Sequence, residues 1–87
     1  MDTEKIMLLE TTERLDAAAV VDFKSETQQL LGGAEALIID LSPTVFIDSA
    51  GLGSLVSLLK NCTQKGIRLA LAGLTQQVRQ IFELTRL

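Results

Sequence analysis

The chain contains no histidine, tryptophan or tyrosine, and it has one cysteine and one proline among 87 residues. Histidine is the commonest general base and a frequent metal ligand, so its absence argues against a metal centre and excludes a serine–histidine–acid triad. Cys62 is the only thiol, so no internal disulfide can form. It falls on the apolar face of a predicted helix, which favours a buried, unreactive thiol over a reactive one.

Positive charge and stacking aromatics are also scarce, since the net charge is −3 and phenylalanine is the only aromatic type. Nucleic-acid-binding surfaces are usually basic and often carry aromatic side chains, so nucleic acid is not a predicted partner. No apolar run approaches the roughly 18 residues that span a bilayer. The N-terminus shows no signal peptide, and we expect no membrane segment.

Apolar residues are abundant, at 47% of the chain against 22% charged residues. This balance predicts a folded structure, and the length predicts a single domain over residues 1–87. The charge is uneven, because most acidic residues precede Gly51 and most basic residues follow it. The asymmetry fits either two solvated faces of opposite sign or one face that docks a charged partner.

Hydropathy periodicity predicts alternating strands and helices. The predicted strands cover 5–12, 36–41 and 67–72, and the predicted helices begin after Asp16, near Ala50 and after Thr75. Asp16 and Thr75 are predicted N-caps, whereas Gly32-Gly33 and Gly66 are predicted to end helices with positive φ. The element order predicts an α/β domain with adjacent, mainly parallel strands.

Shorter segments give three further predictions. Glu13 and Arg14 are predicted to form a turn after the first strand, and residues 45–47 to pack apolar side chains under the next loop. Gly53, in the first turn of its helix, weakens that helix, so its use is predicted to be a close approach to another backbone.

The segment Asp48-Ser49-Ala50-Gly51-Leu52-Gly53 is the predicted functional centre. Loops at the carboxyl ends of parallel strands form the usual functional edge, where Asp16, Asp48, Ser49 and Gly73 are expected to gather. Ser49 has two interpretations at the start of a helix. Its hydroxyl either caps the helix or acts as a switch, since a helix N-terminus also favours a phosphate.

No catalytic residue, metal site or cofactor is predicted in this segment. It lacks the third glycine of a dinucleotide fingerprint and the lysine of a phosphate-binding loop. Asp48 is a weak base and is poorly placed to activate its own neighbour in sequence. We therefore predict no enzymatic activity. A nucleotide-binding enzyme fragment remains an alternative, and an ATP titration without saturable binding would exclude it.

Residues 37–41 and 46–53 together resemble the STAS domain of bacterial anti-sigma-factor antagonists. In that family an apolar strand is followed by Asp-Ser-Ser/Ala-Gly-Leu-Gly, which opens a helix. The resemblance extends to Leu15-Asp16, to residues 65–72 and to Val78 with Ile81-Phe82. It covers most of the chain.

The resemblance implies a mixed, mainly parallel sheet with helices on one side, in a bacterial cytoplasmic protein. It implies that a serine-kinase anti-sigma factor, which holds the ATP, phosphorylates Ser49, and that a PPM-type phosphatase restores the serine. The unphosphorylated form would bind that factor and free the sigma factor, so transcription would be regulated by partner switching. The partner-binding residues would be Asp16, Asp48, Ser49, Ala50, Gly51 and Gly73.

The chain departs from the family pattern in two respects. Glu13 stands where the family usually has glycine, and there is no room for the family's additional first strand or for its last strand and helix. We therefore expect terminal elements to be missing. The chain is either a naturally short member, a truncated one, or one that completes its sheet by homodimerisation or strand exchange with a second copy. The alternative function is a non-switching STAS scaffold or sensory module, which binds a protein or small ligand and uses Ser49 only as a cap.

Overall fold

The computed structural model describes residues 5–85, with side chains through position 80 and at position 83. The elements are β1 (Ile6–Glu10), β2 (Arg14–Leu15), α1 (Ala17–Leu31), β3 (Ala36–Asp40), β4 (Phe46–Ile47), α2 (Ser49–Lys65), β5 (Arg68–Ala72) and α3 (Gln76–Thr85). The three five-residue strands alternate with the three helices, as the periodicity predicts, and two short strands that were not predicted precede α1 and α2.

The strands form two parallel arrangements. β1, β3 and β5 make a sheet in that order, and β2 pairs with β4 separately. α1 therefore lies in the connection from β1 to the adjacent β3, and α2 in the connection from β3 to the adjacent β5. The register aligns Leu8, Ile38 and Ala70 across the three strands. These pairings confirm the predicted α/β class with a mainly parallel sheet.

The core lies on one face of the three-stranded sheet, beneath α1 and α2. Leu37 and Ile39 of β3 are fully buried in one cluster with Phe23 of α1 and Leu58 of α2. Successive side chains of a strand point to opposite faces, so the odd-numbered residues of β3 face the helices. Cys62 is 1% exposed in the same cluster, which confirms the predicted buried thiol.

The short pair β2–β4 corrects two predictions. Arg14 lies in β2 opposite Phe46 of β4 rather than in a turn. The next residues of the two paired strands, Leu15 and Ile47, are buried and hold the pair against the core. Of residues 45–47, only Ile47 packs inward, whereas Val45 and Phe46 remain 45% and 37% exposed. Phe46 points away from Ile47, and the Arg14 guanidinium lies 4.2 Å from the centroid of its ring.

The helix ends confirm three predictions and correct one. Asp16 and Thr75 accept backbone N–H bonds as N-caps, and Gly66 ends α2 with a φ of 71°. Gly32, by contrast, has a φ of −64°, and the N–H of Gly33 donates to the carbonyl of Leu30 at 3.3 Å. Among the described glycines, positive φ occurs at Gly66 and Gly73, so the prediction for Gly32-Gly33 is wrong. The C-cap residue of α1 therefore keeps a right-handed helical conformation.

Candidate functional site

Asp48 lies where two helices begin. It is the N-cap of α2, and its Oδ1 accepts the N–H of Gly51 at 2.8 Å. Its Oδ2 accepts the N–H of Ala17, the first residue of α1, at 3.1 Å. A single carboxylate thus satisfies free donors of both helices. Its negative charge also faces the positive ends of two helix dipoles.

The pairing of β2 with β4 creates this arrangement. Leu15 lies opposite Ile47, and the backbone N–H of Asp48 donates to the carbonyl of Leu15 at 3.4 Å. The next residue along each strand is an aspartate, so Asp16 and Asp48 follow side by side and each opens a helix. The predicted meeting of these two aspartates therefore depends on strands of two residues each.

Asp16 holds the second carboxylate of the site. Its Oδ1 accepts the N–H of Ala19 at 3.1 Å, and its Oδ2 lies 3.5 Å from Nε of Arg14. The Ala19 N–H, and then Arg14, hold the pKa of Asp16 below its ordinary value of 3.8. The site therefore keeps this negative charge at neutral pH. Arg14 contacts both this carboxylate and the Phe46 ring, and so links β2 to β4.

Ser49 is the first residue of α2, and both it and Ala50 are exposed. Of the two interpretations of Ser49, the capping one is wrong, because Asp48 has the extended backbone and the accepting side chain of an N-cap. Ser49 is exposed on the surface, and it follows the capping residue Asp48 in the sequence.

The close approach to another backbone that was predicted for Gly53 is made by Gly51 instead. A Cβ atom at Gly51 would overlap the carbonyl oxygen of Leu15 and lie 3.1 Å from Cγ2 of Ile47. A Cβ atom at Gly53 would have no neighbour within 4 Å. The close approach between backbones is therefore made by Gly51, which is buried and positions the start of α2 against β2.

Gly73 lies in a different turn, at the end of β5. It has a φ of 69°, and a Cβ atom there would overlap Ser42 and lie 2.7 Å from Oδ1 of Asp40. Oδ1 of Asp40 accepts the backbone N–H and the hydroxyl of Ser42 at 2.9 and 2.5 Å. The neighbours of Gly73 are therefore residues at the end of β3, whereas Asp16, Asp48 and Ser49 gather where α1 and α2 begin.

Sequence analysis did not single out Arg14, Val45 and Phe46 as exposed residues in or next to the β2–β4 pair. Strands of two residues are too short to show a period, so Arg14 and Phe46 had no pattern to mark them. The one available signal was an apolar residue followed directly by aspartate, which occurs before both helices at Leu15-Asp16 and Ile47-Asp48.

The described part of the chain gives two further findings. None of the helices within residues 5–85 is both long enough and apolar enough to cross a membrane. The acidic and cysteine side chains described there form no group of three or more that could hold a metal ion.

Comparison with known proteins agrees with the resemblance seen in the sequence. The anti-sigma factor antagonist SpoIIAA in its unphosphorylated form matches with a TM-score of 0.76 and 20% identity, over 97% of this chain and 78% of that chain. The phosphorylated form of SpoIIAA from Bacillus gives the same TM-score and identity, over 98% of this chain and 78% of that chain.

A sulfate transporter family protein from Wolinella succinogenes matches with a TM-score of 0.77 and 13% identity, over 98% of this chain and 71% of that chain. At these identities the structural matches establish the fold. The sequence model of the STAS domain matches residues 2–87, which is nearly the whole chain. The chain therefore belongs to the STAS domain family.

Proposed function

We propose that this protein is an anti-sigma-factor antagonist that is switched by phosphorylation of Ser49. The unphosphorylated form binds a serine-kinase anti-sigma factor and frees the sigma factor, and the phosphate weakens that binding. The observation that carries the proposal is the exposed hydroxyl of Ser49 at the first residue of α2, beside a carboxylate fixed by two helices.

The binding surface proposed for this partner surrounds Ser49. Asp16, Asp48 and Ala50 supply its charge and shape, and Gly51 positions it from beneath. Gly73 contributes through the turn at the end of β5. The ATP is held by the kinase, a PPM-type phosphatase restores the serine, and the exchange takes place in the cytoplasm of a bacterium.

Phosphorylation adds about −1.5 to −2 charges at pH 7. The helix N-termini attract this charge, whereas the carboxylates of Asp48 and Asp16 repel it. The caps of α1 and α2 use aspartate oxygens and do not depend on the Ser49 hydroxyl. The domain should thus keep its fold, and the equal TM-scores of the two SpoIIAA forms support this expectation.

The phosphate then weakens binding to the partner, because the partner must place its surface against a new dianion. A loss of about 3 kcal/mol of binding free energy weakens association more than a hundredfold. Such a loss is enough for a switch without any conformational change in this domain.

The first experiment incubates the protein with the candidate anti-sigma kinase and ATP and locates phosphate by mass spectrometry. We expect one phosphate, on Ser49, and none in a Ser49→Ala variant. Ser57→Ala is the matched control, because Ser57 is an exposed serine on the same helix. Phosphorylation of Ser49→Ala at the parent rate would reject Ser49 as the acceptor.

The second experiment measures affinity for the same kinase by titration calorimetry. The Ser49→Ala variant should bind as tightly as the parent and stay bound in the presence of ATP. The phosphoprotein should bind at least a hundredfold more weakly. Equal affinities of the parent, the phosphoprotein and a Ser49→Asp variant would contradict the switch.

A second candidate is a non-switching STAS scaffold or sensory module. The match to the sulfate transporter family protein supports it, because its TM-score of 0.77 is as high as that of SpoIIAA. A scaffold would bind its protein or small-ligand partner with an affinity that Ser49→Asp does not change. The same titrations therefore separate the two candidates.

A further inference from the structure

β1 forms one edge of the three-stranded sheet, because it pairs with β3 and with no other strand among residues 5–85. The N–H of Thr11, directly after β1, donates to the carbonyl of Asp40 in β3. Odd-numbered residues therefore direct their backbone groups towards β3. Backbone groups of successive residues in a strand point to opposite sides, so those of Ile6, Leu8 and Glu10 point to the free edge.

A groove between β1 and α1 runs beside this free edge, and we call it the edge groove. Its floor is apolar and consists of Leu9 of β1, Leu15 of β2, and Ala19 and Phe23 of α1. The residues that line it come from β1, β2, α1 and the segment between the two strands, with none from β3 or α2. The groove therefore opens on the side of α1 that faces away from α2.

The rim of the edge groove is acidic. Glu10, Asp22 and Glu26 line it, all three are exposed, and no basic side chain lies among its lining residues in the described part of the chain. None of the three carboxylates forms an ion pair within residues 5–85. Asp22 and Glu26 are four positions apart on α1 and so lie on the same side of that helix. The negative charge of the rim is therefore available to a cation from outside the domain.

An extended segment can pair with a free strand edge through backbone hydrogen bonds, and the side chains of the added strand alternate between the two faces of the sheet. Side chains on one face meet the edge groove. There the stem of a lysine or arginine can pack on Phe23 while its charged end reaches Asp22 or Glu26. Side chains on the other face lie beside Ile6 and Leu8, which are apolar and 55% and 65% exposed.

We propose that the free edge of β1 and the edge groove bind an extended segment of a partner protein in which lysine or arginine alternates with apolar residues. A second copy of this chain is a poorer occupant, because pairing two β1 edges would bring two acidic grooves together. The residues of the proposed switch, Asp48 and Ser49, do not line the groove. The two proposals can therefore fail independently.

The first experiment titrates the full chain with an acetylated and amidated peptide, Lys-Val-Lys-Val-Lys-Val-Lys, that carries a fluorescent label. Seven extended residues span roughly 23 Å, enough to cover the roughly 16 Å of β1. Fluorescence anisotropy should show saturable binding that added salt weakens. The same peptide with glutamate in place of lysine should not bind. Absence of saturable binding by the lysine peptide at millimolar protein would overturn the proposal.

Paired charge removal on the protein tests the role of the rim. Asp22→Asn combined with Glu26→Gln should weaken peptide binding about tenfold, because two exposed ion pairs are lost. Glu35→Gln combined with Glu83→Gln is the matched control. It removes the same net charge from exposed positions before β3 and on α3, and should bind like the parent. Equal weakening by the two double variants would show that the peptide follows net charge alone, which would overturn the edge groove as its site.

Backbone methylation of the peptide tests strand pairing without altering the protein. One form carries N-methyl groups on its three valines, and the other carries them on three of its lysines. Only alternate residues of an added strand direct their N–H groups towards β1, so one form should lose binding and the other should keep it. Equal affinities for the two forms would overturn pairing with the edge.

Hydrogen exchange measured by NMR locates the pairing on the protein. The amides of Ile6, Leu8 and Glu10 should exchange rapidly in the free chain, and at least about tenfold more slowly with saturating peptide. The amide of Leu9 faces β3 and serves as the internal control, since it should be protected in both states. Protection of Leu8 that is already complete without peptide, or unchanged by it, would overturn the proposal.

Discussion

Oδ2 of Asp48 lies 3.1 Å from the backbone nitrogen of Ala17, although the two residues are 31 positions apart in the sequence. This hydrogen bond joins the start of α1 to the start of α2. Oδ1 of the same carboxylate caps α2 through the N–H of Gly51. The backbone before Ser49 is therefore fixed from two directions, and this places the hydroxyl of the proposed switch.

Replacement of Asp48 should lower the free energy of unfolding by an amount that depends on whether one or both of its hydrogen bonds are lost. An N-cap bond contributes about 1 kcal/mol, so Asp48→Ala should lose about 2 kcal/mol. Asp48→Asn should lose about half of that, because its amide oxygen still accepts from Gly51 whereas its NH₂ group cannot accept from Ala17.

Urea unfolding of the parent and the two Asp48 variants checks these values. Asp22→Ala is the control, since Asp22 is exposed on α1 and its loss should stay within about 0.5 kcal/mol. Equal losses in the alanine and asparagine variants would show that the bond to Ala17 contributes little.

Gly51→Ala and Gly53→Ala should change stability in opposite directions. A Cβ at position 51 overlaps the Leu15 carbonyl, so α2 must shift away from β2, at a cost of about 1–3 kcal/mol or more. A Cβ at position 53 has no neighbour within 4 Å, and alanine favours the helix by about 1 kcal/mol. Thermal unfolding followed by circular dichroism gives the sign of each change. Stabilisation by Gly51→Ala would contradict the close packing of α2 on β2.

The sequence allowed prediction of the features that repeat along the chain or depend on neighbouring residues. Nearly continuous apolar runs marked β1 and β3, large apolar residues at alternate positions marked β5, the period of 3.6 marked the helices, and Asp16 was recognisable as a cap. The role of Gly51 could not be predicted, because it depends on a tertiary contact with Leu15. The pair of hydrogen bonds that Asp48 accepts likewise depends on the pairing of β2 with β4. These two-residue strands are too short to show a period in the sequence.

Ser49→Ala should leave the stability of the domain almost unchanged. The hydroxyl is exposed and Asp48 provides the cap, so the free energy of unfolding should shift by less than about 0.5 kcal/mol. Urea unfolding of this variant beside Ser57→Ala gives the comparison. A loss of about 1 kcal/mol at position 49 alone would restore a capping role for Ser49.

Asp40 should make the domain sensitive to acid. The hydroxyl of Ser42, and then its backbone N–H, hold the pKa of the Asp40 carboxyl below its ordinary value of 3.8. The unfolded chain therefore binds this proton more readily than the folded chain. The stabilisation is present above the unfolded pKa and is lost as the pH falls through the folded pKa.

Measurement of unfolding free energy from neutral pH to about pH 2 tests the role of Asp40. The parent should be more stable than Asp40→Asn at neutral pH, and the difference should narrow in acid. Asp22→Asn removes the same charge from the exposed side of α1 and serves as the control. A constant difference between the parent and Asp40→Asn at every pH would contradict the linkage.

The thiol of Cys62 should react only when the domain unfolds. It is 1% exposed on the inner side of α2, and burial raises the pKa of this thiol above its ordinary value. Little thiolate is therefore present at neutral pH, and a thiol reagent cannot reach it in the folded domain. Labelling with 5,5′-dithiobis(2-nitrobenzoic acid) across a urea series should follow the unfolding curve measured by circular dichroism. Glutathione labelled under the same conditions controls for effects of urea on the reagent, and complete labelling in native buffer at the glutathione rate would show that the α2 face opens without global unfolding.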